Sequence, residues 1–167
     1  DQMTGGSGND TFSIVSRAES RDTTNYAKAN GTNANIDHIT DFAGNGAAAG
    51  DTIQLSTTAN VYGANLQFVA TAAGANATTA NVVAVSYAAA DSFTQLEGLL
   101  TGTGVAASTT GNAGGAQVRD ITIAGGTLAG RYLFLNDENA AIDTDVDTII
   151  NITGITGALN AQDFTFV

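Results

Sequence analysis

The chain opens with Asp1-Gln2-Met3-Thr4-Gly5-Gly6-Ser7-Gly8-Asn9-Asp10-Thr11-Phe12-Ser13, a Gly-rich run that leads into the apolar, strand-like Phe12. Asp1 and Asp10 stand nine residues apart, as do Met3 and Phe12. Residues 5–13 fit the nonapeptide pattern G-G-x-G-x-D-x-U-x, where U is a large apolar residue. The spacing has a physical reason. Glycine turns let main-chain carbonyls approach an ion closely because no Cβ stands in the way. The aspartate adds a carboxylate, and the apolar residue points into a core. Ca²⁺ takes roughly six to eight oxygens at about 2.3–2.6 Å, so one turn cannot fill its shell and a neighbouring turn must contribute. Asp10 is therefore the candidate carboxylate ligand, and Asp1 occupies the same phase one repeat earlier. That phase places Asp1 mid-repeat and leads us to expect a longer parent chain. The competing reading is a Gly-rich hairpin that binds nothing.

The rest of the composition points the same way. The 167 residues suit one domain, or one domain with a fragment of another. Asp and Glu number 16 against five Lys and Arg, for a net charge of −11. Such a surface repels nucleic acid and anionic membranes and attracts cations; alternatively, it only confers solubility. There is no Cys, so neither disulfides nor zinc thiolates contribute. If the chain is secreted, something else must tie it down, and metal ions are a candidate. No apolar run approaches the roughly 20 residues of a membrane-spanning helix, so membrane insertion is not expected. Asp1-Gln2-Met3 does not open a Sec-type signal peptide, so any export address is expected elsewhere.

The periodicity predicts a mainly β chain with about one short helix. Residues 16–35 are polar and irregular. Ile36–Phe42 and Asp51–Leu55 alternate as strands. Residues 66–69, Asn81–Tyr87, Val118–Ile123, Arg131–Leu135, Thr148–Ile152 and Phe164–Val167 also look like strands. Asp91–Leu100 is the helix candidate: Asp91 or Ser92 can cap it, and Phe93, Leu96, Leu99 and Leu100 share one face. Residues 102–115 look like a Gly, Thr and Ala loop.

With these motifs in place, the first third of the chain resembles the C-terminal part of RTX proteins, in particular the serralysin-type C-terminal domain. The resemblance rests on three elements in order: the G-G-x-G-x-D repeat, Asp37-His38-Ile39-Thr40-Asp41-Phe42, and Gly50-Asp51-Thr52-Ile53-Gln54-Leu55-Ser56. The loop at 16–35 is longer than the family pattern. The resemblance implies a Ca²⁺ site closed by Asp37 and Asp41 with Asp10 and the main chain of Gly6 and Gly8, and makes Asp51 a weaker candidate. For Asp37 and Asp41 the alternative is surface aspartate flanking a buried strand. Residues 131–157 resemble, more loosely, the C-terminal segments of secreted surface-layer and adhesin-like proteins. The resemblance also implies a type I export signal at the extreme C-terminus, here Asp163, Phe164, Thr165, Phe166 and Val167. Thr165 departs from the apolar run of the family. The same residues also read as a final strand, and the two readings are compatible.

Other chemistry finds little support. Asp143-Thr144-Asp145-Val146-Asp147 fails as an EF-hand, because Thr148 stands where the loop needs Gly and Gly154 where it needs Glu. A solvated acidic hairpin is the plainer reading, although the acids at 137–147 could hold an ion between loops. His38 is the only histidine, so an HExxH site is impossible. No Lys follows the Gly-rich turn, which excludes a phosphate loop. The expectation is a non-catalytic module: residues 1–56 form a β-roll end with calcium closure, and residues 57–167 form a mostly β sandwich or roll-like body carrying the export signal. The module would work outside the cell or at its surface, with an exporter and possible self-assembly into a lattice or matrix as its partners. The alternative is the calcium-binding tail of a secreted protease or lipase.

Overall fold

The computed structural model describes residues 1–14, 20, 36–44, 50–55, 82–101, 118–135, 142–144, 147–157, 159 and 163–166. The expected strand at 66–69 and the loops at 16–35 and 102–115 lie outside these residues, apart from Ser20. The strands are β1 (Gln2–Met3), β2 (Thr11–Ile14), β3 (His38–Ile39), β4 (Thr52–Leu55), β5 (Val82–Tyr87), β6 (Val118–Ile123), β7 (Gly130–Leu135), β8 (Thr148–Asn151) and β9 (Phe164–Phe166). One helix, α1 (Phe93–Thr101), lies between β5 and β6. The chain is mainly β with a single short helix among the described residues, as the periodicity predicts.

The strands form a six-stranded sheet of order β1-β3-β8-β7-β6-β5 and a three-stranded sheet of order β2-β4-β9. All pairings in the smaller sheet are parallel, as are β1 with β3 and β3 with β8. Three two-strand units therefore stack in register, each giving one strand to each sheet. Unit one is β1, the turn 4–10 and β2. Unit two is β3 and β4, and unit three is β8 and β9, each pair joined by the chain between them. Gln2 pairs with His38 and His38 with Asn151; Phe12 pairs with Ile53 and Ile53 with Phe164. Strands from 1–56 and from 57–167 thus belong to the same two sheets.

Burial follows from what covers each face. In β2, Thr11 and Ser13 are exposed while Phe12 and Ile14 are buried, the alternation of a sheet with one wet face. In β7, by contrast, Tyr132 through Leu135 are all buried. Leu133 and Leu135 join Phe12, Ile53, Ile150 and Phe164 in a core between the sheets. Tyr132 and Phe134 face the other way and join Phe93, Leu96 and Leu100 of α1. The large sheet is a middle layer, covered by the small sheet on one face and by the helix on the other. Ser92 caps α1, its Oγ accepting from the Gln95 amide at 3.2 Å. Gln95 Oε1 returns to the Asp91 amide at 2.8 Å, much like a capping box.

Candidate cation site

The Gly-rich turn of unit one lies against the turn of unit two, and aspartate carboxylates bridge them. Asp41 Oδ1 accepts from the Gly5 amide at 2.9 Å, and its Oδ2 accepts from the Gly6 amide at 2.8 Å. The Gly5 bond and then the Gly6 bond hold the Asp41 carboxyl below its ordinary pKa, because both favour the ionised form. Asp51 is buried. Its Oδ1 accepts from the Asp10 amide and its Oδ2 from the Ala43 amide, both at 2.9 Å. Asp37, also buried, accepts at Oδ1 from the main-chain nitrogen of Asp1 at 2.5 Å. Each of these three carboxylates of unit two therefore accepts from main-chain nitrogen in unit one.

Asp10 differs from them. Its Oδ2 is buried and has no hydrogen-bond partner among the described residues. It packs against Gly5, where a Cβ would lie 2.6 Å from that oxygen, so only glycine fits this position. Gly6 and Gly8 hold φ of +93° and +130°, backbone that L side chains rarely adopt. A groove beside the outermost strands β1 and β2 is lined by Met3, Thr4, Gly5, Asp10 and Phe12. A buried carboxylate oxygen without a donor is costly unless something positive meets it. An orphaned oxygen on the motif's own aspartate, packed against Gly5, fits a hard cation. Asp10, with carbonyls of the turn, would hold it. Among the described residues no three acidic or histidine side chains converge as a metal-holding group, so the site offers one carboxylate oxygen and main chain.

The remaining candidates lie elsewhere. His38 Nε2 sits 3.0 Å from the Thr153 carbonyl of unit three. Asp163 is fully buried and Phe164 is 5% exposed, so the candidate export segment packs as a strand; Val167 lies outside the described residues. Of the acidic loop, Asp143 and Asp147 close on each other through two bonds of 2.7 Å. Glu97 of α1 pins Thr144 by accepting from its amide and hydroxyl, at 2.5 and 2.8 Å.

Single-strand periodicity does not reveal unit three, but the sequence carries a signal of it. Gln2-Met3-Thr4-Gly5, His38-Ile39-Thr40-Asp41 and Asn151-Ile152-Thr153-Gly154 occupy equivalent places in the three units. Thr4 and Thr40 touch through their hydroxyls at 2.7 Å, and Ala43 bridges to Thr156 one turn on. Comparison with known proteins finds no matching family, curated protein or solved structure.

Proposed function

We propose that this chain is a non-catalytic calcium-binding module of a type I-secreted bacterial extracellular protein, in a surface-layer, adhesin or matrix setting. The observation that carries the calcium reading is Asp10 Oδ2, a buried oxygen with no partner among the described residues, on the aspartate of a G-G-x-G-x-D turn. When bound, a divalent cation would supply the positive charge this oxygen lacks. The rest of the chain's work is positional. Asp41 and Asp51 hold the turns of units one and two together, and the parallel stack fixes their register. A net charge of −11 opposes this convergence of carboxylates, so a cation favours the folded stack. At the calcium level outside a cell, about 10⁻³ M, extracellular modules of this kind fill; in the cytosol they stay empty.

The export reading rests on the resemblance of the C-terminal residues to a type I signal. Residues 1–167 fused to a passenger lacking its own signal, in a strain with a matching exporter, should reach the medium. Deleting Asp163–Val167 should retain the fusion in the cell. Equal secretion of both fusions would reject the signal and leave these residues a structural role.

A further inference from the structure

We infer that Asp51 is a positioning residue for Asp10, acting through the Asp10 main chain rather than as a ligand; the inference rests on the cation reading above. Asp10 is the last residue before β2, and Asp51 is the last before β4. The strands that follow pair in register from Thr11 and Thr52 onward. Asp51 is 3% exposed, and each of its oxygens already accepts a main-chain N–H, one from Asp10 and one from Ala43. The Asp10 carbonyl in turn accepts from the Thr52 amide at 2.8 Å. Both main-chain groups of Asp10 are thereby fixed by two consecutive residues of unit two.

A residue held at its N–H and its C=O launches its side chain from a fixed Cα. Gly5 then closes the space beside it, with room for no Cβ. Asp10 Oδ2 is preorganised while itself unpartnered among the described residues. Asp51 has the opposite character: buried, doubly satisfied, and aimed at main chain. Outer partners of this kind typically change metal affinity by about 10–100-fold when removed, without supplying a ligand atom.

Tb³⁺ luminescence separates the roles, because signal against concentration gives affinity and lifetime in H₂O and D₂O counts bound waters. Wild-type chain, Asp10→Asn and Asp51→Asn would be compared, each checked for strand content by circular dichroism. Asp10→Asn should weaken Tb³⁺ and add about one bound water. Asp51→Asn should weaken Tb³⁺ by about 10–100-fold with the water count unchanged. An added water in Asp51→Asn would make Asp51 a ligand, and unchanged affinity would leave it purely structural; either result overturns the inference alone. A wild-type chain with no saturable Tb³⁺ signal would overturn the cation reading and this inference with it. If Asp51→Asn does not fold, amide exchange of Asp10 in the wild type decides. Protection that persists when Tb³⁺ binds is expected, and loss of protection on binding refutes the role.

Discussion

Phe164→Ala should destabilise the chain by about 3–5 kcal/mol, the range for deleting a buried Phe side chain. Phe164 pairs with Ile53 across β4 and β9. It is 5% exposed within the core that also holds Phe12, Phe42 and Ile53. Because β9 is the outer strand of its sheet, the hole can relax, which places the expectation near the lower bound. A loss of about 3 kcal/mol is a large share of a total typically near 5–15 kcal/mol. Thr165, the next residue, faces out, and Thr165→Ala should change stability by less than about 0.5 kcal/mol. Urea denaturation in EDTA, followed by circular dichroism, reads both variants without any metal contribution. With a slope of about 2 kcal/mol per molar, Phe164→Ala should move the midpoint down by roughly 1.5 M and Thr165→Ala hardly at all. Two variants with equal midpoints, or a Phe164 loss below about 1 kcal/mol, would show that the C-terminal segment is not the third unit's strand.

The other substitutions probe the turn, the helix and the link from β7 to β6 and to unit three. Gly5→Ala would force a Cβ to within 2.6 Å of Asp10 Oδ2 and should cost about 1–3 kcal/mol, as overpacking does. Gly98→Ala meets nothing within 4 Å among the described residues and should raise helix stability by roughly 0.5–1 kcal/mol; thermal melts of the two variants should shift in opposite directions. Arg131 grips Asp120 through Nε at 2.8 Å and Nη2 at 2.6 Å, and reaches the Gly157 carbonyl through Nη1 at 3.0 Å. Because lysine cannot reproduce that fork, Arg131→Lys should cost about 1–2 kcal/mol in chemical denaturation, at the lower end for charge-assisted hydrogen bonds; an unchanged midpoint would reduce the pair to a surface contact.

Local pattern made much of this architecture legible. Val118–Ile123 emerges as β6 with the expected bounds, and of the two cap candidates, Asp91 and Ser92, it is Ser92 that caps the helix, because alternation and capping act over a few residues. What stayed hidden is non-local. The pairing of His38 with Asn151 spans more than half the chain, and single-strand periodicity carries no information about partners. The echo of Met3-Thr4, Ile39-Thr40 and Ile152-Thr153 was masked by the long sequence between the second and third copies. At the candidate site, spacing singled out Asp10, and the resemblance added Asp37 and Asp41, with Asp51 as a weaker candidate. Sequence could not separate a carboxylate with a buried oxygen unpartnered among the described residues from two that bridge main-chain amides, because that difference depends on where neighbouring turns place their N–H groups.

Calcium binding to the folded chain should show in thermal unfolding of the purified protein in about 10 mM CaCl₂ and in EDTA. At a dissociation constant of about 10⁻⁴–10⁻³ M, that concentration stabilises the folded state by roughly 1.4–2.7 kcal/mol. The midpoint should rise by about 3–10 °C for a chain of this size, and Asp10→Asn should lose most of the rise. Coincident curves for the wild type in calcium and EDTA would contradict the account, and an equal rise in Asp10→Asn would contradict the placement of the site.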